Sequence, residues 1–123
     1  MPITEILSRN ARLYGDDVSL VEISPELGSR REITWRGFDD AANRFANLLL
    51  ERGIARGAKV AILLTNSLEW LPIYFGILKT GALAVPLNYR YDAEEIEYCL
   101  KLADADALVF GPEFTERVAA IID

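Results

Sequence analysis

An α/β fold is expected for this chain: a mostly parallel sheet with helices on its faces, preceded by a helix and a β-hairpin. Three observations point there. Past Gly57, short apolar runs alternate three times with segments of helical periodicity, an order that calls for right-handed crossovers between parallel strands. The first of those runs, Val60-Ala61-Ile62-Leu63-Leu64, carries no polar residue, as a strand covered on both faces should. The chain has 123 residues and a mass of 13.7 kDa. A chain of that size buries about two-thirds of its unfolded surface and leaves about 6,600 Å² exposed, which supports one hydrophobic core.

The elements follow in order. Ile3, Ile6, Leu7 and Leu13 fall on one helical face, and Gly15 closes the segment. Val18, Leu20 and Ile23 alternate with polar neighbours as in a half-buried strand. Ser24-Pro25-Glu26-Leu27-Gly28-Ser29 is turn chemistry, and Arg31 to Thr34 returns as the second hairpin strand. Thr34 is the expected N-cap of a long helix in which Phe38, Ala41, Ala42, Phe45, Leu48 and Leu49 repeat, with Gly53 at the C′ position.

After the Val60 to Leu64 strand, Thr65-Asn66-Ser67 offers capping groups for a helix from about Leu68 to Thr80, with Pro72 near its first turn and Gly81 at its end. Ala82 to Val85 reads as a second buried strand stopped by Pro86. Asp92 and Glu95 form a capping box that opens a third helix, whose inner side carries Ile96, Cys99 and Leu100. Ala107 to Phe110 is the third strand, Gly111-Pro112 a turn, and Phe114 to Ile122 the start of another helix without a capping signal at its end.

Composition removes several chemistries. With 13 Lys+Arg against 19 Asp+Glu the net charge is −6, which argues against a nucleic-acid partner held by clustered cations. The chain has no histidine, so no Ser-His-Asp triad or imidazole base is available. Its one cysteine, Cys99, makes neither an internal disulfide nor a Cys-rich zinc site, and no metal site is expected. No secretory signal and no transmembrane segment is visible, so a cytoplasmic location is expected.

Parallel sheets bind ligands beyond the carboxyl ends of their strands. Of the three loops there, Asn88-Tyr89-Arg90-Tyr91-Asp92 pairs a guanidinium with two aromatics and could grip a phosphate or carboxylate; the plainer reading is a solvated turn. Thr65-Asn66-Ser67 reads first as a helix cap, and Gly111-Pro112-Glu113 carries no evident chemistry. Gly76 and Gly81 have the spacing of a phosphate loop, but Ala82-Leu83 follow where Lys-Ser/Thr is needed. The pairs Asp16-Asp17 and Asp39-Asp40 read as a loop end and a solvated helix face, and Cys99 as a small core residue. None of these supplies a catalytic residue.

The ordered string from Gly57 through Asn66, Ser67 and Glu69, with Gly76-x-Leu78-Lys79-Thr80-Gly81-Ala82-x-Ala84-Val85-Pro86-Leu87-Asn88 after it, resembles the N-terminal region of acyl-CoA synthetases in the adenylate-forming, AMP-binding superfamily. Ile33-Thr34-Trp35-Arg36-Gly37-Phe38 is similar to that superfamily's first core motif, and Leu78 to Asn88 to its second. Asn88-x-Arg90-x-x-x-Glu94-Glu95-Ile96-x-Tyr98 also matches in kind. Pro86-Leu87-Asn88 followed by Arg90 is closer to fatty- or aryl-acyl-CoA ligases than to peptide-synthetase domains, which usually carry Asp in place of that Asn. Departures are Trp35 for the commoner Tyr and Thr80 for Ala.

The resemblance implies that residues 1–123 are the N-terminal subdomain of a large AMP-binding domain, inactive alone. The parent would join a carboxylic acid, fatty or aryl, to CoA at the expense of ATP, with Mg²⁺. It further implies that the loop holding the ATP phosphates and the catalytic lysine lie downstream; neither Lys59 nor Lys79 takes that role. Asn88, Tyr89 and Arg90 are the local candidates, on the CoA side. Acyl-chain preference and oligomeric state, a homo-oligomer included, stay open. The alternative is a stand-alone α/β binding or signalling module of receiver type. It would need an acidic cluster at strand ends, where this chain has Thr65-Asn66, Asn88 and Gly111-Pro112.

Overall fold

In a computed structural model that describes residues 2–24, 28–54, 56–65 and 67–121, a helix and a hairpin precede the parallel sheet. Helix α1 (Ile3–Leu13) buries Leu7 and Ala11, not the larger stripe that the spacing suggests; Ile3, Ile6 and Leu13 are exposed. Its inner side is the narrow row Thr4, Leu7, Ser8, Ala11, small enough for close approach. Leu7 meets Phe38 and Ala42 of the long helix.

Strands β1 (Val18–Ser24) and β2 (Ser29–Thr34) pair antiparallel, from Val18 opposite Thr34 to Ser24 opposite Ser29. The second strand starts two residues earlier than expected, and residues 25–27 of the expected turn lie outside the described residues. A register irregularity between Val18 and Leu20 resets the alternation, so Leu20 and Glu22 turn inward while Val18, Val21 and Ile23 are exposed. Glu22 is drawn in by its partners. Both its carboxylate oxygens accept from Arg31 at 2.8 Å, and Oε1 also accepts from the Leu68 amide at 2.9 Å.

Helix α2 (Trp35–Glu51) begins as expected, the Thr34 hydroxyl accepting from the Gly37 amide at 3.1 Å. It ends in a Schellman motif: the Ile54 amide reaches Leu49 O at 2.9 Å and the Gly53 amide Leu50 O at 3.1 Å, with Gly53 at φ 85°. Phe38, Ala42, Ala46 and Leu49 are its buried stripe, and Leu48 is exposed. Asp39, expected on a solvated face, is instead largely covered and pairs with Lys79 at 2.9 Å, tying α2 to the end of the next helix.

Strand β3 (Lys59–Leu63) is the centre of a three-stranded parallel sheet of order β4-β3-β5, with β4 spanning Leu83–Pro86 and β5 Ala107–Phe110. Val60, Ala61, Ile62 and Leu63 are all wholly buried, as their apolar run predicts. Strand β4 is not the covered strand expected of Ala82 to Val85. It lies at an edge with Leu83 55% exposed, because strand order, not composition, decides which strand has two neighbours. Strand β5 likewise has β3 as its one hydrogen-bonded neighbour among the described residues.

Helix α3 (Trp70–Lys79) connects β3 to β4, and α4 (Ala93–Ala103) connects β4 to β5. Val60 and Ile62 pack with Leu49 of α2 and Ile77 of α3; Leu63 packs on the other face with Ile96, Phe114 and Val118. The expected cap of α3 does not form. The helix starts at Trp70 with Glu69 as an uncapped N-cap residue, Ser67 lends only its carbonyl to the Trp70 amide at 3.2 Å, and Asn66 lies outside the described residues. Asp92 and Glu95 do make the expected reciprocal capping box of α4, Ile96 is buried, and Cys99 and Leu100 are half-buried beside it. The last segment breaks into a 3₁₀ helix (Pro112–Phe114) and a short α5 (Thr115–Ala119), anchored by buried Phe114 and Val118.

Arg31 fastens the hairpin to this sheet. It donates to Glu22 and, through Nη1 at 2.8 Å and Nη2 at 3.0 Å, to Glu69 just before α3. The Arg31 guanidinium and the Leu68 amide hold the Glu22 carboxyl down to about 2, and Arg31 lowers Glu69 as well. Depressed carboxyls stabilise the fold above their unfolded pKa and lose that contribution as pH falls through the folded one. Stability of the wild-type chain is therefore expected to fall between about pH 4.5 and pH 2, and Glu22→Gln to flatten that fall in acid-denaturation curves; an unchanged curve would remove Glu22 from the account. Asp39→Ala leaves the covered Lys79 ammonium unpaired and is expected to cost about 1–3 kcal/mol in urea unfolding, between the values for exposed and fully buried pairs.

Candidate functional site

The order β4-β3-β5 has a direct consequence for where a ligand can enter. The chain leaves β3 toward one face and β5 toward the other, so the crevice between their carboxyl ends is the topological switch point of the sheet. Two side chains meet there. The Thr65 hydroxyl lies a long 3.5 Å from Oε1 of Glu113, whose carboxylate folds back over Gly111. Any Cβ at position 111 would come within 2.6 Å of that carboxylate and displace it. This carboxylate puts a negative charge beside the crevice, on an exposed side chain.

The loop after β4 supplies the cation. Asn88 to Tyr91 form a tight turn: the Tyr91 amide donates to Asn88 O at 3.1 Å and the Arg90 amide to Asn88 Oδ1 at 2.9 Å. Asn88 is thus a turn-former, not a free amide. Tyr89 and Arg90 are exposed; the Arg90 guanidinium lies 5.4 Å from the Tyr89 ring centroid, and its Nε is 3.3 Å from the Tyr89 hydroxyl. Among the described residues Arg90 meets no carboxylate. The arrangement leaves a cation beside an aromatic face, suited to an anionic group.

Arg117 of α5 also belongs to this rim, and no sequence signal pointed to it. Its guanidinium lies 5.2 Å from the ring centroid of buried Phe114, and Nη1 donates to Tyr89 O at 2.8 Å and Tyr91 O at 3.1 Å. Acceptors of this kind are backbone carbonyls, which have no signature in a sequence. The three loops named from sequence therefore share one end of the sheet, laced together by residues 111–117. Among the described residues no group of His, Cys, Asp and Glu side chains is arranged to hold a metal ion.

Away from the rim, an apolar groove of about 380 Å³ is lined by Ile33, Ala41, Phe45, Leu48 and Pro72, with Arg44 and Glu69 among its walls. A second groove beside β5 shares Phe45 and Leu48 with it and adds Val109 and Phe110. One apolar strip thus runs from the hairpin across α2 to the open side of β5. The whole chain exposes 7882 Å², about 1,300 Å² more than size scaling predicts for its mass.

Comparison with known proteins assigns the fold. The chain matches the model of the AMP-binding enzyme family over residues 7–122. It is 36% identical over 104 residues to a crotonobetaine/carnitine–CoA ligase of Citrobacter koseri, covering 85% of this chain and 20% of that enzyme. It is 35% identical over 105 residues to a long-chain-fatty-acid–CoA ligase of Mycobacterium tuberculosis, covering 80% of this chain and 21% of the relative. The chain thus spans about a fifth of the length of these curated relatives.

Among solved structures, the inhibitor-bound N-terminal domain of FACL13 from Mycobacterium tuberculosis superposes with a TM-score of 0.86 at 32% identity, over 97% of this chain and 29% of that one. The anthranilate CoA ligase AuaEII with anthranoyl-AMP gives 0.87 at 32%, over 98% of this chain and 22% of that one. The parallel sheet, its preceding hairpin and the motif order are those of the N-terminal part of acyl- and aryl-CoA ligases, and the chain belongs to the AMP-binding enzyme family.

Proposed function

We propose that these residues form the N-terminal subdomain, over 1–123, of a cytoplasmic ATP-dependent carboxylic acid–CoA ligase acting on a fatty or aryl acid, and that they do not catalyse the reaction alone. In the first step a carboxylate oxygen attacks the α-phosphorus of ATP, forming the acyl adenylate and expelling pyrophosphate. In the second the CoA sulfur, having lost its proton, attacks the acyl carbonyl carbon, forming the thioester and releasing AMP. Mg²⁺ would accompany the ATP phosphates.

The observation that carries this reading is the family match along nearly the whole chain, joined to relatives that are acid–CoA ligases. Inactivity alone is supported by the site chemistry. Among the described residues the rim holds two arginines, Arg90 and Arg117, without a carboxylate partner and no activated nucleophile, and the apolar strip beside β5 is the kind of surface that further chain packs on. Asn88, Tyr89 and Arg90 take the CoA side: Asn88 shapes the turn, Tyr89 offers an aromatic face, and Arg90 meets a phosphate.

Acid-dependent exchange of pyrophosphate into ATP is the direct test. The complete natural polypeptide containing these residues is expected to catalyse it, and the isolated 123 residues are not; exchange by the isolated residues would overturn their inactivity, and none by the complete polypeptide would overturn the ligase reading. In that polypeptide Arg90→Ala is expected to raise the KM for CoA about tenfold, the size of one lost charge-assisted contact, and to leave adenylate formation unchanged. An unchanged KM for CoA would return Arg90 to a solvated turn.

A further inference from the structure

We propose that Arg117 is the positioning residue of this rim: it clamps the backbone on both sides of Arg90 and so presents that guanidinium in one place. The proposal rests on the reading of Arg90 as an anion-binding group, and its geometry stands apart from that reading. The two carbonyls that Arg117 Nη1 engages, of Tyr89 at 2.8 Å and Tyr91 at 3.1 Å, belong to the residues immediately before and after Arg90. The Arg90 amide is held by Asn88 Oδ1 and the turn is closed by Tyr91 N on Asn88 O, so the backbone is held on both sides of residue 90.

The clamp is seated on the core. Arg117 lies over the ring of Phe114, which is 2% exposed and packs with Leu63 at the end of the central strand. The loop after an edge strand is thereby referred to the most buried element of the molecule. An exposed arginine on a free loop loses rotational and backbone freedom when it binds an anion; one whose backbone is already fixed loses less and binds more tightly for the same contact. Both hydrogens of Arg117 Nη1 go to these two carbonyls, which is what makes the residue a clamp on the loop. The Phe114 ring lies beside the guanidinium, and no carboxylate lies within 4.0 Å of Arg117 among the described residues.

Two measurements on the complete natural polypeptide separate the clamp from the ligand it serves. Tryptic cleavage of the Arg90–Tyr91 bond, followed by mass spectrometry, is expected to quicken about tenfold in Arg117→Met and to return close to the wild-type rate in Arg117→Lys, which can still donate to both carbonyls. Unchanged cleavage in Arg117→Met, with far-ultraviolet circular dichroism unaltered, would overturn the proposal. The KM for CoA is expected to rise in Arg117→Met with adenylate formation unchanged, and the Arg90→Ala/Arg117→Met double variant to be no worse than Arg90→Ala alone. Additive effects on that KM would give Arg117 a contact of its own and overturn its role as a clamp. Faster cleavage with a KM that neither Arg90→Ala nor Arg117→Met moves would uphold the clamp and discard the CoA reading.

Discussion

Everything in this molecule is hung on a strand with no contact with water. Val60 to Leu63 lie between two parallel neighbours and between two helical layers, and each of the four is wholly buried. Full enclosure requires that every backbone donor and acceptor be paired along the ladders, which fixes the register of β4 and β5. It also divides the core: Val60 and Ile62 hold α2 and α3, and Leu63 holds α4 and the Phe114 segment. The hairpin and α1 join the rest through the Phe38 and Ala42 cluster on α2 and through the Arg31 clasp on Glu69, just before α3.

Features governed by near neighbours along the chain are legible in the sequence alone. The Asp92–Glu95 capping box, the Thr34 cap and the Gly53 terminus each need only three to six residues of chain, and each forms as expected. The unbroken apolar run of β3 has one reading, since a strand with no polar side cannot face water. What the sequence withheld depends on partners far along the chain. Leu83 looks buried until the order β4-β3-β5 places it at an edge. Glu22 turns inward because Arg31 and the Leu68 amide wait there. Asp39 reads as solvated until Lys79, forty residues on, is brought beside it.

The site divides in the same way. A cation between two tyrosines after a strand is visible in one line of sequence, and Asn88, Tyr89 and Arg90 do stand at the carboxyl end of the sheet. Their electrostatic setting is not visible. Glu113 and Arg117 give the rim an anion at the crevice and a clamp at the loop, and both follow β5, far from the residues they touch. The switch point, where a doubly wound sheet ordinarily takes its ligand, thus has a carboxylate beside it, and Arg90 stands on the loop after the edge strand β4.

Strand β5 carries a consequence for handling the protein. Its outer row of amides and carbonyls, Ala107 to Phe110, has no ladder partner among the described residues, and apolar grooves flank it on both sides. Four residues with no Pro and no charge leave such a row open to pairing with another extended chain. The backbone groups of this edge are those to which an extended segment of a second chain would add, so the protein is best handled dilute.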